Sequence, residues 1–204
     1  MIDNLDLIKP LLNFSKEGDF YMLYVFKRKK DQPEGERDNH QSVRTIKTYC
    51  VDSIEYLDKR YDEIKMLCEV FKARAYIHVQ KQNHMDISLE MMVSLAQRIK
   101  NGVIKQQSLF DSVVGQIKTN EKRWIIDIDT KDKDVVDRIS KLINSIQPSG
   151  EKIEAVIPTK NGYHLITKKF NVLEFKKFMN LGGDIPEIQK KNPTLLFLPN
   201  SLSL

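Results

Sequence analysis

The sequence predicts an α+β protein of two packed sheet modules with helices on the outer faces. Three observations predict it. Strand-like and helix-like segments alternate through both halves of the chain. The second half runs strand–helix–strand–strand–helix–strand, the series that builds a sheet with helices on one face. The first half has its own strand–strand–helix–strand run, and 204 residues suffice for one large domain or two small ones. The chain therefore reads as a single domain with an N-terminal module over about 1–100, a connector over about 100–120 and a C-terminal module over about 121–204.

The elements follow in order. "FYMLYVFK" (20–27) and "VRTIKTYCV" (43–51) have the aromatic and β-branched content of strands. Between them "KRKKDQPEGERDNHQS" (27–42) is charged, contains Pro and Gly, has no apolar anchor and reads as an exposed loop. Asp52 and Glu55 form a capping-box pattern. Ile54, Leu57, Tyr61, Ile64, Leu67, Cys68 and Phe71 then recur at helical spacing. "RAYIHVQ" (74–80) reads as a strand, "ISLEMMVSLAQRI" (87–99) as a helix and "LFDSVVGQI" (109–117) as a shorter one. In the second half "RWIIDID" is a strand and "KDVVDRISKLINSI" (133–146) an amphipathic helix. "KIEAVIP" and "GYHLITK" are strands joined by the turn "TKN". Asn171 and Glu174 make a second capping-box pattern that opens "VLEFKKFMN", and "TLLFLP" (194–199) is the final strand.

Composition excludes several classes. The chain is 41% hydrophobic and 30% charged, ordinary for a globular protein. No apolar run approaches the roughly 20 residues a membrane span needs. The start, MIDNLDLIKPLLNF, lacks the basic region and long apolar core of a signal peptide. Cys50 and Cys68 are isolated and form neither a zinc pattern nor a disulfide framework, so a reducing cytoplasm is the expected setting. A net charge of +5 and a pI near 9.0 favour an anionic partner such as nucleic acid or nucleotide.

Three stretches could carry chemistry. In "RWIIDIDT" (123–130), strand alternation puts Ile125, Asp127 and Asp129 on one face. Two carboxylates there, about 7 Å apart at Cα, repel each other and lose solvation. Basic neighbours or a hard divalent cation would compensate them. The plainer alternative is that Asp129 or Thr130 caps the next helix while Asp127 pairs with a lysine. In "IPTKNGYHLITKKF" (157–170), His164 follows a Gly-containing turn. Thr159, Lys160, Asn161 and the amides around Gly162 could cradle phosphate, with Lys168 and Lys169 adding charge. Alone, His164 reads more readily as a hydrogen-bonded structural histidine than as a catalytic one, and His78 is read as structural. In "LGGDIPEIQKKNPTLLFLP" (181–199), Asp184 and Glu187 are the only acids, in an apparent loop before the last strand.

The order of these pieces resembles the archaeo-eukaryotic primase superfamily, which includes primase-polymerases and the polymerase domain of bacterial end-joining ligases. "WIIDIDT" is similar to its first motif, a hydrophobic strand ending in Asp-x-Asp or Asp-x-Glu. "TKNGYHLI" is similar to its second, a small residue shortly before a His. "GGDIPEIQKKNPTLLFLP" resembles a degenerate third, an acid near a strand leading to Pro. The resemblance covers about residues 120–200.

It implies an RRM-like C-terminal module and a two-metal nucleotidyl transferase acting on nucleic acid in replication. Asp127 and Asp129 would hold Mg²⁺ or Mn²⁺, with Asp184 as the third carboxylate. His164 would contact the triphosphate and Lys160 or Lys168 would neutralise it. Single-stranded or primed template and nucleoside triphosphates are the implied partners, with a replication helicase as a further one. A small phage- or mobile-element-type member is the expectation, because no helicase or accessory domain follows the third motif. Two features depart from the pattern: Gly162 stands where the family often has Ser, and there is no Cys cluster for a zinc element.

Other readings compete. A haloacid-dehalogenase-type phosphatase also starts from Asp-x-Asp. Here, however, Thr130 directly follows Asp129, Lys131 holds the position the motif needs for Thr or Val, and the motif lies mid-chain. A metal-dependent nuclease uses paired acids, a His and a basic surface equally well. A non-catalytic nucleic-acid or nucleotide binder on a primase-like fold would need only the charge. For the catalytic readings, Asp127, Asp129 and His164 must share one face within about 12 Å, because one nucleotide must touch all three.

Overall fold

The computed structural model describes residues 1–32, 43–103, 109–116, 122–179 and 185–202. It is α+β, with two antiparallel sheets and, among the described residues, six α-helices. The first sheet draws on β1 (Ile2–Asp3), β2 (Asp19–Arg28), β3 (Val43–Val51), β4 (Arg74–Ile77), β5 (Gln82–Asn83) and β10 (Thr194–Leu198). Its order is β1-β10-β4-β2-β3, with β5 paired to the start of β2. The second sheet holds β6 (Trp124–Ile128), β7 (Ile153–Pro158), β8 (Tyr163–Thr167) and β9 (Glu187–Gln189), in the order β7-β8-β6-β9.

The alternation of β2 explains why it is central. Tyr21, Leu23 and Val25 point to one core, while Phe20 and Met22 point to another. On the first face lies α2 (Ile54–Phe71), burying Leu57, Tyr61, Ile64 and Cys68. Phe71, at the end of the same helical pattern, remains exposed. The cap of α2 is Ser53 and not Asp52: its hydroxyl accepts from the Tyr56 amide at 3.1 Å. On the opposite face α3 (His84–Lys100) and α4 (Leu109–Gln116) pack through Ile87, Leu109 and Val113. The short helix expected at 109–117 is therefore present, and within the region read as a connector it adds Leu109 and Val113 to the core.

The second sheet also contributes to a core on both faces. Ile126, Ile128 and Leu165 lie under α5 (Lys133–Ser145) and α6 (Val172–Met179), against Val136, Ile139, Ile143 and Phe175. Ile125, Ile157 and Ile166 point the other way and join the core of the first module with Ile8, Leu11 and Leu196. Ile8 belongs to α1 (Leu5–Ile8), a single turn. Asn4, just before it, is fully buried. Its side-chain amide donates to the Pro158 and Leu195 carbonyls at 2.9 Å each, which ties β7 to β10.

Two placements differ from the sequence reading. The acidic segment before the last strand is not all loop, because Glu187–Gln189 forms β9 on the edge of the second sheet. The final strand, read as the close of the C-terminal series, instead inserts between β1 and β4 of the first sheet. Asp184 lies outside the described residues. No helix among the described residues is long and apolar enough to cross a membrane.

Candidate active site

Asp127 sits in the middle of a row that crosses the second sheet. Its register partner on β8 is His164, and on β9 it is Glu187. Ile157 of β7 stands beyond His164. Residues paired directly across strands share a face. Asp127, His164 and Glu187 therefore project together, on the face that Ile125 presents to the first module.

The side chains meet. His164 Nε2 lies 3.5 Å from Asp127 Oδ1, and Nδ1 lies 2.9 Å from the Thr194 hydroxyl at the start of β10. The ring is buried, so contacts at both nitrogens fix its orientation. The Gln189 amide donates to Asp127 Oδ2 and to Glu187 Oε2, both at 3.1 Å. The hydrogen bond from His164 outweighs partial burial and holds the Asp127 carboxyl below the usual carboxylate range; the charges of His164 and Arg28 and the Gln189 bond add to this. Arg28 ends β2 and rests 5.2 Å over the Tyr76 ring, so the first module lends positive charge to a carboxylate of the second.

Asp129 is exposed just past the end of β6. It does not cap α5. That role belongs to Asp132, whose carboxylate accepts from the Asp134 amide at 2.9 Å, while the Thr130 hydroxyl accepts from the Asp132 amide at 3.2 Å. Nor does Asp127 pair with a lysine, since its partners are His164 and Gln189.

The turn between β7 and β8 is closed by its own groups. The Thr159 amide donates to the Gly162 carbonyl at 2.8 Å, and the Gly162 amide donates to the Thr159 hydroxyl at 3.1 Å. A Cβ on Gly162 would stand 1.8 Å from the Ile128 carbonyl oxygen and 2.7 Å from the Thr130 nitrogen. Glycine is required there because the turn lies against the end of β6, beside the Asp-x-Asp segment. Lys160 Nζ donates to the Leu202 carbonyl at 2.7 Å, and Asn161 is exposed. Lys168 lies past the far end of β8, four residues from His164 and so about 13 Å along the strand. It is not brought to Asp127.

Glu187, Gln189, Thr194 and Arg28 complete the arrangement, and sequence reasoning gave none of them a role. For Glu187 the signal was the Glu-Ile-Gln alternation, only three residues long. Asp127 and Glu187 offer hard oxygen donors of the type Mg²⁺ and Mn²⁺ prefer. Their oxygens converge on one amide nitrogen, a position where a partial positive charge already stands between two carboxylates. The donor set fits a divalent cation in kind, with Gln189 as the group that must give way. Among the described residues no group of three or more His, Cys, Asp or Glu side chains is placed to hold a metal ion. Comparisons with protein-family models, curated proteins and solved structures return no match for this chain.

Proposed function

We propose that this chain is a metal-dependent nucleotidyl transferase of the primase–polymerase kind, with an RRM-like C-terminal unit. The observation that carries the reading is the row His164–Asp127–Glu187, in direct register on three adjacent strands. The β6-α5-β7-β8-α6-β9 run, with strand order β7-β8-β6-β9, supports the RRM-like part. Asp127 and Glu187, with Asp129 at the strand end, would hold Mg²⁺ or Mn²⁺, and Asp184 is the further carboxylate to test. When bound, the cation supplies Lewis-acid charge to a triphosphate. His164, oriented by Thr194, presents its Nε2 to Asp127, and it would donate to a phosphate oxygen by releasing that contact. Arg28 adds positive charge beside Asp127, Lys160 lies in the turn against the end of β6, and the net charge of +5 supports a nucleic-acid template.

A second reading, a nucleic-acid or nucleotide binder without catalysis, is favoured by Gln189. Its amide, with His164, already satisfies Asp127 without any cation.

Labelled nucleotide incorporation on a short primed single-stranded template, with Mg²⁺ or Mn²⁺, tests the proposal. The parent extends the primer, and Asp127→Ala with Asp129→Ala lowers the rate at least about a hundred-fold, the scale of losing a group that acts in the transition state. Shortened template in place of extension identifies a nuclease. Template binding without extension or cleavage identifies the non-catalytic binder.

A further inference from the structure

Helix α3 has two apolar faces, and the described residues cover only one. Ile87, Met91 and Leu95 turn toward the core shared with α4 and β2. On the other side Met85, Leu89, Met92 and Ile99 are between 55% and 69% exposed. Ala96, also exposed, falls between the last two. Positions 85, 89, 92, 96 and 99 alternate steps of four and three, which is the a/d seam of a two-helix coiled coil. Scattered exposed apolar residues need no explanation, but a contiguous stripe at this spacing does.

We propose that the exposed stripe of α3 is a self-association surface, on which the α3 of a second copy of this chain packs antiparallel about a two-fold axis near residue 94. The charges select both the partner and the direction. With 89 and 96 as a positions and 85, 92 and 99 as d positions, Asp86 and Lys100 are both e positions. Antiparallel pairing layers Leu89 on Ile99 of the second copy and Met92 on its Ala96. It also sets Asp86 opposite Lys100 twice, once at each end. Parallel pairing sets neither charge against its opposite. Because one helix carries both charges, the surface is self-complementary, as a two-fold interface requires. Asp86 and Lys100 also lie in the first and last turns of α3, where they complement the helix dipole. The proposal is independent of the catalytic reading. Helix α3 follows β5, which pairs with the start of β2, whereas Arg28 near Asp127 ends β2. None of the stripe residues belongs to the row His164–Asp127–Glu187, so the two proposals rest on different side chains.

Sedimentation velocity of the full chain from about 1 to 300 μM tests it. The parent passes from monomer to dimer as concentration rises. Leu89→Lys with Met92→Glu holds it monomeric, with circular dichroism unchanged because both side chains face solvent. Asp86→Lys weakens the dimer roughly three- to thirty-fold, as expected when two exposed ion pairs become like-charge pairs. Adding Lys100→Asp restores it. A parent that stays monomeric throughout overturns the proposal and hands the stripe to a different partner. A dimer indifferent to positions 89 and 92 also overturns it, and a dimer that tightens or is unmoved with Asp86→Lys overturns the antiparallel pairing.

Discussion

At Gly162 two strands approach too closely for any side chain, and the consequence is measurable. Alanine there would put its Cβ inside the Ile128 carbonyl, and backbone on both sides cannot swing away as a side-chain tip can. Gly162→Ala should destabilise the protein by about 3 kcal/mol, read by urea denaturation, because the turn must lift off β6. A cost under about 0.5 kcal/mol would mean that the turn does not rest on the strand. His78 gives a pH signature. Burial beside the Tyr24 ring pushes its imidazole down to about 4, so the folded protein holds it neutral while the unfolded chain protonates it below about 6.5. Its contribution is complete above about pH 6.5 and is lost as pH falls toward 4. The loss is roughly 2 kcal/mol, discounted for the ring's partial exposure. His78→Phe should flatten the fall in Tm between those pH values. Asp127, held below the usual carboxylate range, adds a separate loss only at lower pH, below about 3.9. Asp127 and His164 were legible in sequence because each stands out in an apolar strand. Thr194 was not, since a threonine opening a strand is ordinary until a histidine thirty residues away is seen to touch it.

Among the elements, those with long periods could be read and those held by distant partners could not. β3 runs over the residues its composition marks, and α2 buries Leu57, Tyr61, Ile64 and Cys68 of the pattern that predicted it. β1, β5 and β9 have two or three residues each, too few for an alternation to show. β9 exists because β6 offers it a ladder, with Ile188 opposite Ile126 and packed into the core under α5 and α6. β10 was readable as a strand, but its sheet was not, because pairing with β1 spans nearly the whole chain. Asn4 joins these elements. Replacing it with alanine removes the donor to two carbonyls at the contact of β7 with β10. Unpaired buried polar groups cost about 1–3 kcal/mol each. Asn4→Ala should therefore lower stability by about 2 kcal/mol or more, and a chemical-denaturation midpoint equal to the parent's would show that water replaces the amide without loss.

For the whole molecule, the chain is interleaved: it leaves the first module, builds the second and returns to finish the first. β4 pairs on one side with β2 and on the other with β10, so the first sheet without β10 loses its connection to β1 and exposes an edge. The core of the first module also takes in Ile125, Ile157, Ile166, Leu196 and Phe197 from the second half. Five such side chains, at about 2 kcal/mol each, come to roughly 10 kcal/mol, as large as the whole stability of an ordinary domain. The sequence order, which puts a module boundary near residue 120, hides this dependence. Residues 1–103 expressed alone should therefore show no cooperative unfolding transition, and their amides should exchange hydrogen without the protection that β2 and β4 have in the full chain. Supplying residues 109–204 as a separate polypeptide should restore both, because the missing strand and the five core side chains then return without a covalent link. A sharp transition for residues 1–103 alone would mean that the first module's core closes without them. The row His164–Asp127–Glu187 would then be carried by a unit that can move relative to Arg28, and Asp127 would lose the charge that the first module lends it.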